Sequence, residues 1–453
     1  MKVKAIFDIG KTNKKFFLFD QEFNEVYKEY VTFNEIEDDD GYPCDDLAAI
    51  VSWIKSTLGK FMHSAKYELE AINFSTYGAS LVHVDEEGTL LTPFYSYLKP
   101  YPNEVLEAFY QQYGDPWFMA QATSSPQLGM LNSGLQLYWL KQVKPEVFRR
   151  IRYSLHFPQY LSYVLTGKAY SEYTSIGCHT MLWDFTKSDY HSWVYAEGID
   201  RVLAPLEVSD NYVDYPGTGI TVGVGLHDSS AALLPYLRVN NDPFLLLSTG
   251  TWSIVINPFN HQPLSRDHLQ QDCLNFLRTD GKPVRAARLF LGNEYTRQVE
   301  KLISHFGLSS SVHKNVAFNE ELYHSLIDHY TRKFHFESIR REGENPSETR
   351  LDNFSNFEEA YHQLMIELVE LQVNSIKLAV GDTVVRKLYI DGGFADNKIF
   401  IELLARELKG VDLLTTHTPL GSALGAVLMI SKPVSDQHHL KKHFKDTKTT
   451  NSL

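Results

Sequence analysis

Cysteine is scarce: Cys44, Cys178 and Cys273 are the only three in 453 residues, far apart and without a CxxC pair. That spacing argues against a disulfide framework or a structural zinc site, and fits a reducing compartment such as the cytoplasm. Long apolar runs are absent as well. No stretch of about 18 apolar residues occurs, so no membrane-spanning helix is expected. The opening MKVKAIFDIG reaches Asp8 after a short apolar run, and no secretory leader is expected there. Positive charge is in deficit, with 43 Lys+Arg against 56 Asp+Glu and a formal net charge of −13. This disfavours nucleic acid and anionic membranes as partners. It does not disfavour a small anion, which local backbone donors can hold.

What is present is ordinary globular material, and at roughly 100–200 residues per domain the length predicts two domains or three. Val3–Asp8, Lys15–Asp20 and Glu25–Phe33 read as an antiparallel meander whose first turn carries the polar residues. Glu35–Asp40 reads as an acidic loop, Asp45–Phe61 as a helix, and Leu69–Phe74 and Ser80–Val84 as strands. A second beginning appears at Phe244–Leu247 and Trp252–Asn257, strand, small polar turn, strand again. Helices follow over Glu294–Phe306 and Phe357–Val380. The chain then alternates strand Lys387–Ile390, helix Asn397–Leu408, strand Val411–Thr415 and helix Ser422–Ile430. A domain boundary is placed near residue 238, giving units 1–238 and 239–431 and a polar, mobile tail over 432–453.

Five short motifs could carry chemistry, and each has a plain structural alternative. In Asp8-Ile9-Gly10-Lys11-Thr12-Asn13-Lys14-Lys15, Gly10 permits close backbone approach and Thr12 adds a hydroxyl for a phosphate. Asp8 could hold Mg²⁺. A hairpin with solvated lysines fits the same residues. Ser248-Thr249-Gly250-Thr251 is the same device, and also an ordinary hairpin turn. Asp391-Gly392-Gly393-Phe394-Ala395-Asp396-Asn397 would let a flat ligand approach a helix N-terminus, or is a turn capped by Asp396. Gly421-Ser422-Ala423-Leu424-Gly425-Ala426 suits close helix packing equally well. In Gly223–Ala232, Asp228 could accept a proton from a hydroxyl or cap its helix, while the lone His227 reads as structural.

The order of these motifs, with INFSTYGASLVHVD from Ile72, PQYLSYVLTGKAYSEYT from Pro158 and LSTGTW from Leu247, resembles the FGGY family of carbohydrate kinases, with rhamnulokinase-like and fuculokinase-like members nearest. The resemblance runs from about Lys4 to about Met429. It implies an α/β chain of two ribonuclease H-like domains, as in actin, hexokinase and the Hsp70 ATPase domain, with a central cleft. It further implies ATP as co-substrate, Mg²⁺, and transfer of the γ-phosphoryl group to a ketose or deoxyketose such as L-rhamnulose, L-fuculose or xylulose. By the same resemblance Asp8 is the metal residue, and Gly10, Thr12, Asn13 and Lys15 form the first phosphate motif. Thr249, Gly250 and Thr251 form the second phosphate motif, and Gly392, Gly393, Asn397, Gly421 and Ser422 the nucleotide side. Asp228 is the base, with Thr76, Tyr77, Gly78 and Lys99 beside it on the sugar side.

The literal string FGGY is missing, and the sugar side departs from the family. Tyr77-Gly78-Ala79-Ser80 stands where the rhamnulokinase-like strand usually reads Trp-Gly-Val-Asp, Lys99 falls where an Asp-Arg pair is common, and Gln159 replaces a frequent Asp. Such changes alter hydroxyl selectivity. Tyr77, Lys99 and His179 are replacement contacts on this reading. A polyol or amino-sugar kinase and a non-catalytic nucleotide- and sugar-binding sensor remain alternatives. A homodimer is left open, and no helix-turn-helix is expected ahead of Val3.

Overall fold

The computed structural model describes residues 1–339, 346–416, 421–431, 440 and 447–449. Lys2–Ile9 is buried at every position after Lys2, Lys4 and Asp8 included, as a central strand requires. It pairs antiparallel with Lys14–Phe19, which pairs in turn with the half-exposed edge strand Glu25–Val31. On its other side it runs parallel to Glu68–Thr76. Thr221–Gly223 and Leu226–His227 both pair parallel to Glu68–Thr76, and Tyr212–Asp214 closes that edge.

Helix Leu47–Met62 makes the crossover between the parallel strands. Asp46 caps it by accepting from the Ala49 amide, so Asp45 lies outside the helix that the sequence reading began there. Asp45 belongs instead to a short strand, Pro43–Asp45, paired with Glu35–Glu37. The acidic segment expected as a loop is therefore partly a β-hairpin.

A second sheet repeats the plan. Leu245–Thr249 pairs antiparallel with Ser253–Asn257 and parallel with Lys387–Gly392, which is followed by Asp412–Thr415. Pro283–Leu289 and Cys273–Leu277, neither anticipated from the sequence, extend the antiparallel side. An antiparallel run of three strands in the first sheet and four in the second, each continued by parallel strands, is the ribonuclease H-like arrangement. Helix Phe357–Val380, expected with these bounds, covers one face of this sheet and is capped by Asn356.

Helices Asp228–Val239 and Gly421–Met429 lie against each other at the junction of the two sheets. A Cβ on Gly425 would come within 1.9 Å of the Ala231 carbonyl oxygen, so only glycine lets the two backbones meet. Asn73 Nδ2 of the first sheet donates to the Ala426 carbonyl at 2.9 Å. The apolar core around these helices takes Ile6 and Phe17 from the first sheet and Leu246, Ile256 and Tyr389 from the second. Both sheets therefore share one junction. Within the stretch expected as a mobile tail, Leu440 is buried and Thr447–Thr449 pairs antiparallel with Asp412–Thr415. The rest of 432–453 lies outside the described residues. Among the described residues, no helix is long and apolar enough to cross a membrane.

Candidate functional site

Three strands of the first sheet end side by side, Ile9 opposite Thr76 and Thr76 opposite His227. The polar turns that follow converge on this rim. Asp8, 7% exposed, points its carboxylate at two partners. Ser422 Oγ donates to Oδ1 at 2.8 Å and Lys15 Nζ approaches Oδ2 at 3.4 Å. Burial raises the Asp8 carboxyl above its ordinary value; Lys15 and Ser422 offset part of this, and the charge of Asp228 adds to it. The first turn is closed by the Gly10 amide on the Asn13 carbonyl at 3.0 Å, leaving Thr12 and Asn13 exposed.

Asp228 opens helix Asp228–Val239, but the capping position is His227 and no side chain caps the helix. The capping alternative for Asp228 therefore fails, and its carboxylate, about one-third exposed, remains turned to the cleft rim. Ser229 Oγ donates to Oδ1 at 3.2 Å and His227 Nε2 lies 3.4 Å away. His227 is buried, its amide donating to Thr174 Oγ1 at 2.9 Å. The same Nε2 is 3.6 Å from Cys178 Sγ, which is 3.3 Å from His179 Nε2. Burial opposes charge on both groups and is outweighed. The neighbouring His179 and His227 bring the Cys178 thiol down to about 5, and Cys178 and Asp228 bring His227 up to about 9. The residue read as merely structural thus links the candidate base to a thiol. A Cβ on Gly78 would sit 2.9 Å from the His227 ring, so that glycine is fixed by this contact.

On the second sheet, Thr249 Oγ1 donates to the Asp391 carbonyl and accepts from the Phe394 amide at 3.0 Å. Gly392 has φ +82°, and a Cβ there would lie 1.8 Å from the Thr249 oxygen. The two turns are thereby stitched into one ledge, with Gly250, Thr251, Gly392 and Gly393 exposed on it. Asn397, rather than Asp396, caps the following helix by accepting from Phe400, and its Nδ2 donates to Tyr361 at 3.0 Å. Ser422 joins the Asp8 side. A Cβ on Gly421 would meet Ala232 Cβ at an ordinary 3.5 Å.

Sequence reasoning missed a buried polar cluster beside the first turn. Asp45 Oδ1 accepts from Lys14 at 2.9 Å, and Oδ2 accepts from Lys11 at 2.7 Å and Tyr77 at 2.8 Å. Lys11 also reaches Glu35 at 2.9 Å. Burial alone would raise the Asp45 carboxyl, but these three hydrogen bonds outweigh it and hold the group below its usual range. The available signal was a lysine pair heading the strand Lys14–Phe19, whose last four residues are apolar. Lys99 is engaged elsewhere, with Asp38 and Asp40 both at 2.6 Å and its ammonium over Tyr95 and Trp139. Gln159 is buried and donates to the Gly225 carbonyl at 2.8 Å, bracing the loop before His227. His179 faces Phe276 at 5.1 Å.

This geometry coincides with a known sequence family: the N-terminal domain of the FGGY family of carbohydrate kinases matches residues 3–229. The chain belongs to that family. Among curated relatives, a rhamnulokinase of Halalkalibacterium halodurans is 27% identical over 257 residues, 54% of this chain and 52% of that protein. The chain thus spans about half the length of that relative. Among solved structures, a carbohydrate kinase from Novosphingobium aromaticivorans superposes with a TM-score of 0.77 at 24% identity, covering 94% of this chain and 91% of that one. A ligand-bound xylulose kinase from Lactobacillus acidophilus gives 0.78 at 14% identity, covering 99% and 93%. At these identities the two structures establish the shared fold.

Proposed function

We propose that the chain is an ATP-dependent carbohydrate kinase that phosphorylates a hydroxyl of a ketose or deoxyketose, with Asp228 as the base. One observation carries this reading: Asp8 and Asp228, far apart in sequence, are brought together by Ser422, which donates to Asp8 from a helix packed against the helix that Asp228 opens. Phosphoryl transfer needs positioning and charge stabilisation more than covalent chemistry. Asp228 would accept the proton of the attacking hydroxyl, its carboxylate placed by Ser229 and His227. The turn around Gly10, with Lys15 at its end, and the ledge of Gly250 and Thr251 offer donors to phosphate oxygens. Gly392 and Gly393 leave room for the flat part of a nucleotide.

Mg²⁺ fits the donor set: a buried carboxylate, a neighbouring carboxylate and a hydroxyl are hard oxygen ligands. Asp8 would hold it, and it would offset charge on the transferring group. The cytoplasm is the expected compartment, supported by three free buried thiols. On this reading the two sheets mark the two units, with the division near residue 238.

Coupled ADP release against ketoses, polyols and amino sugars tests the reading. Asp228→Asn should keep its melting temperature and lose acceptor-dependent turnover. Turnover near that of the parent would remove Asp228 as the base. An absence of acceptor-dependent release for every sugar would favour a sugar- and nucleotide-binding sensor.

A further inference from the structure

The family's usual sugar-side carboxylate is missing at Ser80, yet the rim near Asp228 is not bare. Four separate segments bring Lys11, Glu35, Asp45, Tyr77 and Tyr97 together. Asp45 is the hub, accepting from Lys11, Lys14 and Tyr77 while only 6% exposed, so it has little capacity left for a ligand. Its effect is to fix the two groups in front of it. Lys11 keeps a third N–H beyond those given to Asp45 and Glu35, and its side chain is 21% exposed. Tyr97 is half-buried, packs edge-on against the Tyr77 ring at 5.9 Å, and has no hydrogen-bond partner among the described residues. Tyr77 precedes Gly78, which packs on the His227 ring, and His227 Nε2 lies 3.4 Å from Asp228, so the two tyrosine rings stand next to the candidate base.

We propose that Tyr97 and Lys11 form the wall that reads the acceptor's non-reacting hydroxyls, and that the acceptor is a neutral sugar rather than a sugar acid. This rests on the kinase reading of Asp228. A phenol without a protein partner and an ammonium with a spare N–H are the two unspent polar groups on this wall. Both suit a polyhydroxylated ligand, which offers an acceptor oxygen at every carbon. The charge argument decides against an acid. Lys11 already faces two carboxylates, Lys14 is held by Asp45, and Lys15 lies beside Asp8 on the phosphate side. Asp228 adds a further negative charge, so a carboxylate on the ligand would meet paired lysines and repulsion.

Tyr97→Phe and Lys11→Met test the wall, with calorimetric sugar binding measured beside coupled ADP release. Loss of one neutral hydrogen bond should raise the acceptor KM about 5- to 10-fold in Tyr97→Phe. Loss of the charged one should raise it about 10- to 100-fold in Lys11→Met. The KM for ATP should stay unchanged in Tyr97→Phe, whose side chain lies outside the phosphate turns. Neutral ketoses should exceed the matching aldonic and uronic acids in kcat/KM by at least 10-fold. If the parent turns over an acceptor and both variants keep its KM, the wall inference falls and the kinase reading stands. If sugars bind the parent without turnover and Tyr97→Phe weakens that binding, the kinase reading falls and the wall stands. A preference for the acid, or no sugar binding at all, overturns the wall as well.

Discussion

Asp45→Ala strands a buried charge. Lys14 is 1% exposed and its ammonium has two partners, the Asp45 carboxylate and the Lys11 carbonyl. With Asp45 removed, the carbonyl alone remains, and the Tyr77 hydroxyl loses its acceptor too. Breaking a buried pair from one side costs about 3–5 kcal/mol. At about 2–4 °C per kcal/mol for a unit of this size, the melting temperature should fall by about 6–20 °C. Glu35→Gln is the control. Glu35 is half-exposed and shares Lys11 with Asp45, so its loss should cost about 1 kcal/mol or less. Combining Asp45→Ala with Lys14→Met should recover at least half of the deficit, because the penalty lies in the stranded ammonium. The pH dependence has a definite sign. Asp45 titrates below its ordinary value when folded, so its stabilisation is complete above about 3.9, the unfolded value, and is lost as pH falls through the folded one. The gap between parent and variant in calorimetry should be constant from pH 6 to 8 and shrink in acid. An Asp45→Ala protein melting within about 2 °C of the parent at pH 7 would refute the argument.

Two further tests address other parts of the molecule. Cys178 should be a thiolate at neutral pH, whereas burial pushes the Cys44 thiol up and the Cys273 thiol up to about 11. Thiolate absorbance of the native protein should therefore appear with a midpoint near 5 and vanish in Cys178→Ser; a flat signal between pH 4 and 7 would contradict the pairing with His179 and His227. Gly425→Ala forces apart the helices that carry Ser422 and Asp228, since its Cβ would lie 1.9 Å from the Ala231 oxygen. It should cost about 1–3 kcal/mol by overpacking. Gly421→Ala, with its nearest neighbour at 3.5 Å, should melt like the parent, and equal behaviour of the two variants would count against this helix contact.

The elements legible in the sequence were those whose local pattern and tertiary role agree. Helix Phe357–Val380 has a capping Asn ahead of it and a glycine after it, and its predicted bounds match. The strands flanking the turns at Gly10 and Gly250 were readable because apolar runs break sharply at small polar residues. Cys273–Leu277 and Pro283–Leu289 escaped notice because CLNFL and PVRAARL mix polar and apolar residues with no clear period. The buried Arg285 is tolerated there because Asn275, the Gln262 and Pro263 carbonyls and His268 take its donors. Sequence spacing cannot announce such compensation. Family resemblance located Asp8, Asp228 and the glycine turns, and the structure brings Asp8, Ser422 and Asp228 to one rim.

The sugar side was illegible for a different reason. A resemblance carries residues over position by position, so a replacement arising on another element is invisible to it. Ser80 marks a missing carboxylate, and Tyr77, Lys99 and His179 are the replacement contacts that the resemblance can point to. In three dimensions Lys99 is held by Asp38 and Asp40, whereas Asp45, expected at a helix start but found on a hairpin strand, reaches Tyr77. The acidic segment therefore does two jobs: Asp38 and Asp40 neutralise Lys99, and Asp45 with Glu35 orients Lys11. A net charge of −13 is then no guide to the cleft, because part of the acidic excess is folded back onto the lysines that line it. Selectivity, on this view, depends on how those lysines are neutralised, and that is fixed by the hairpin's pairing of Glu35 with Asp45.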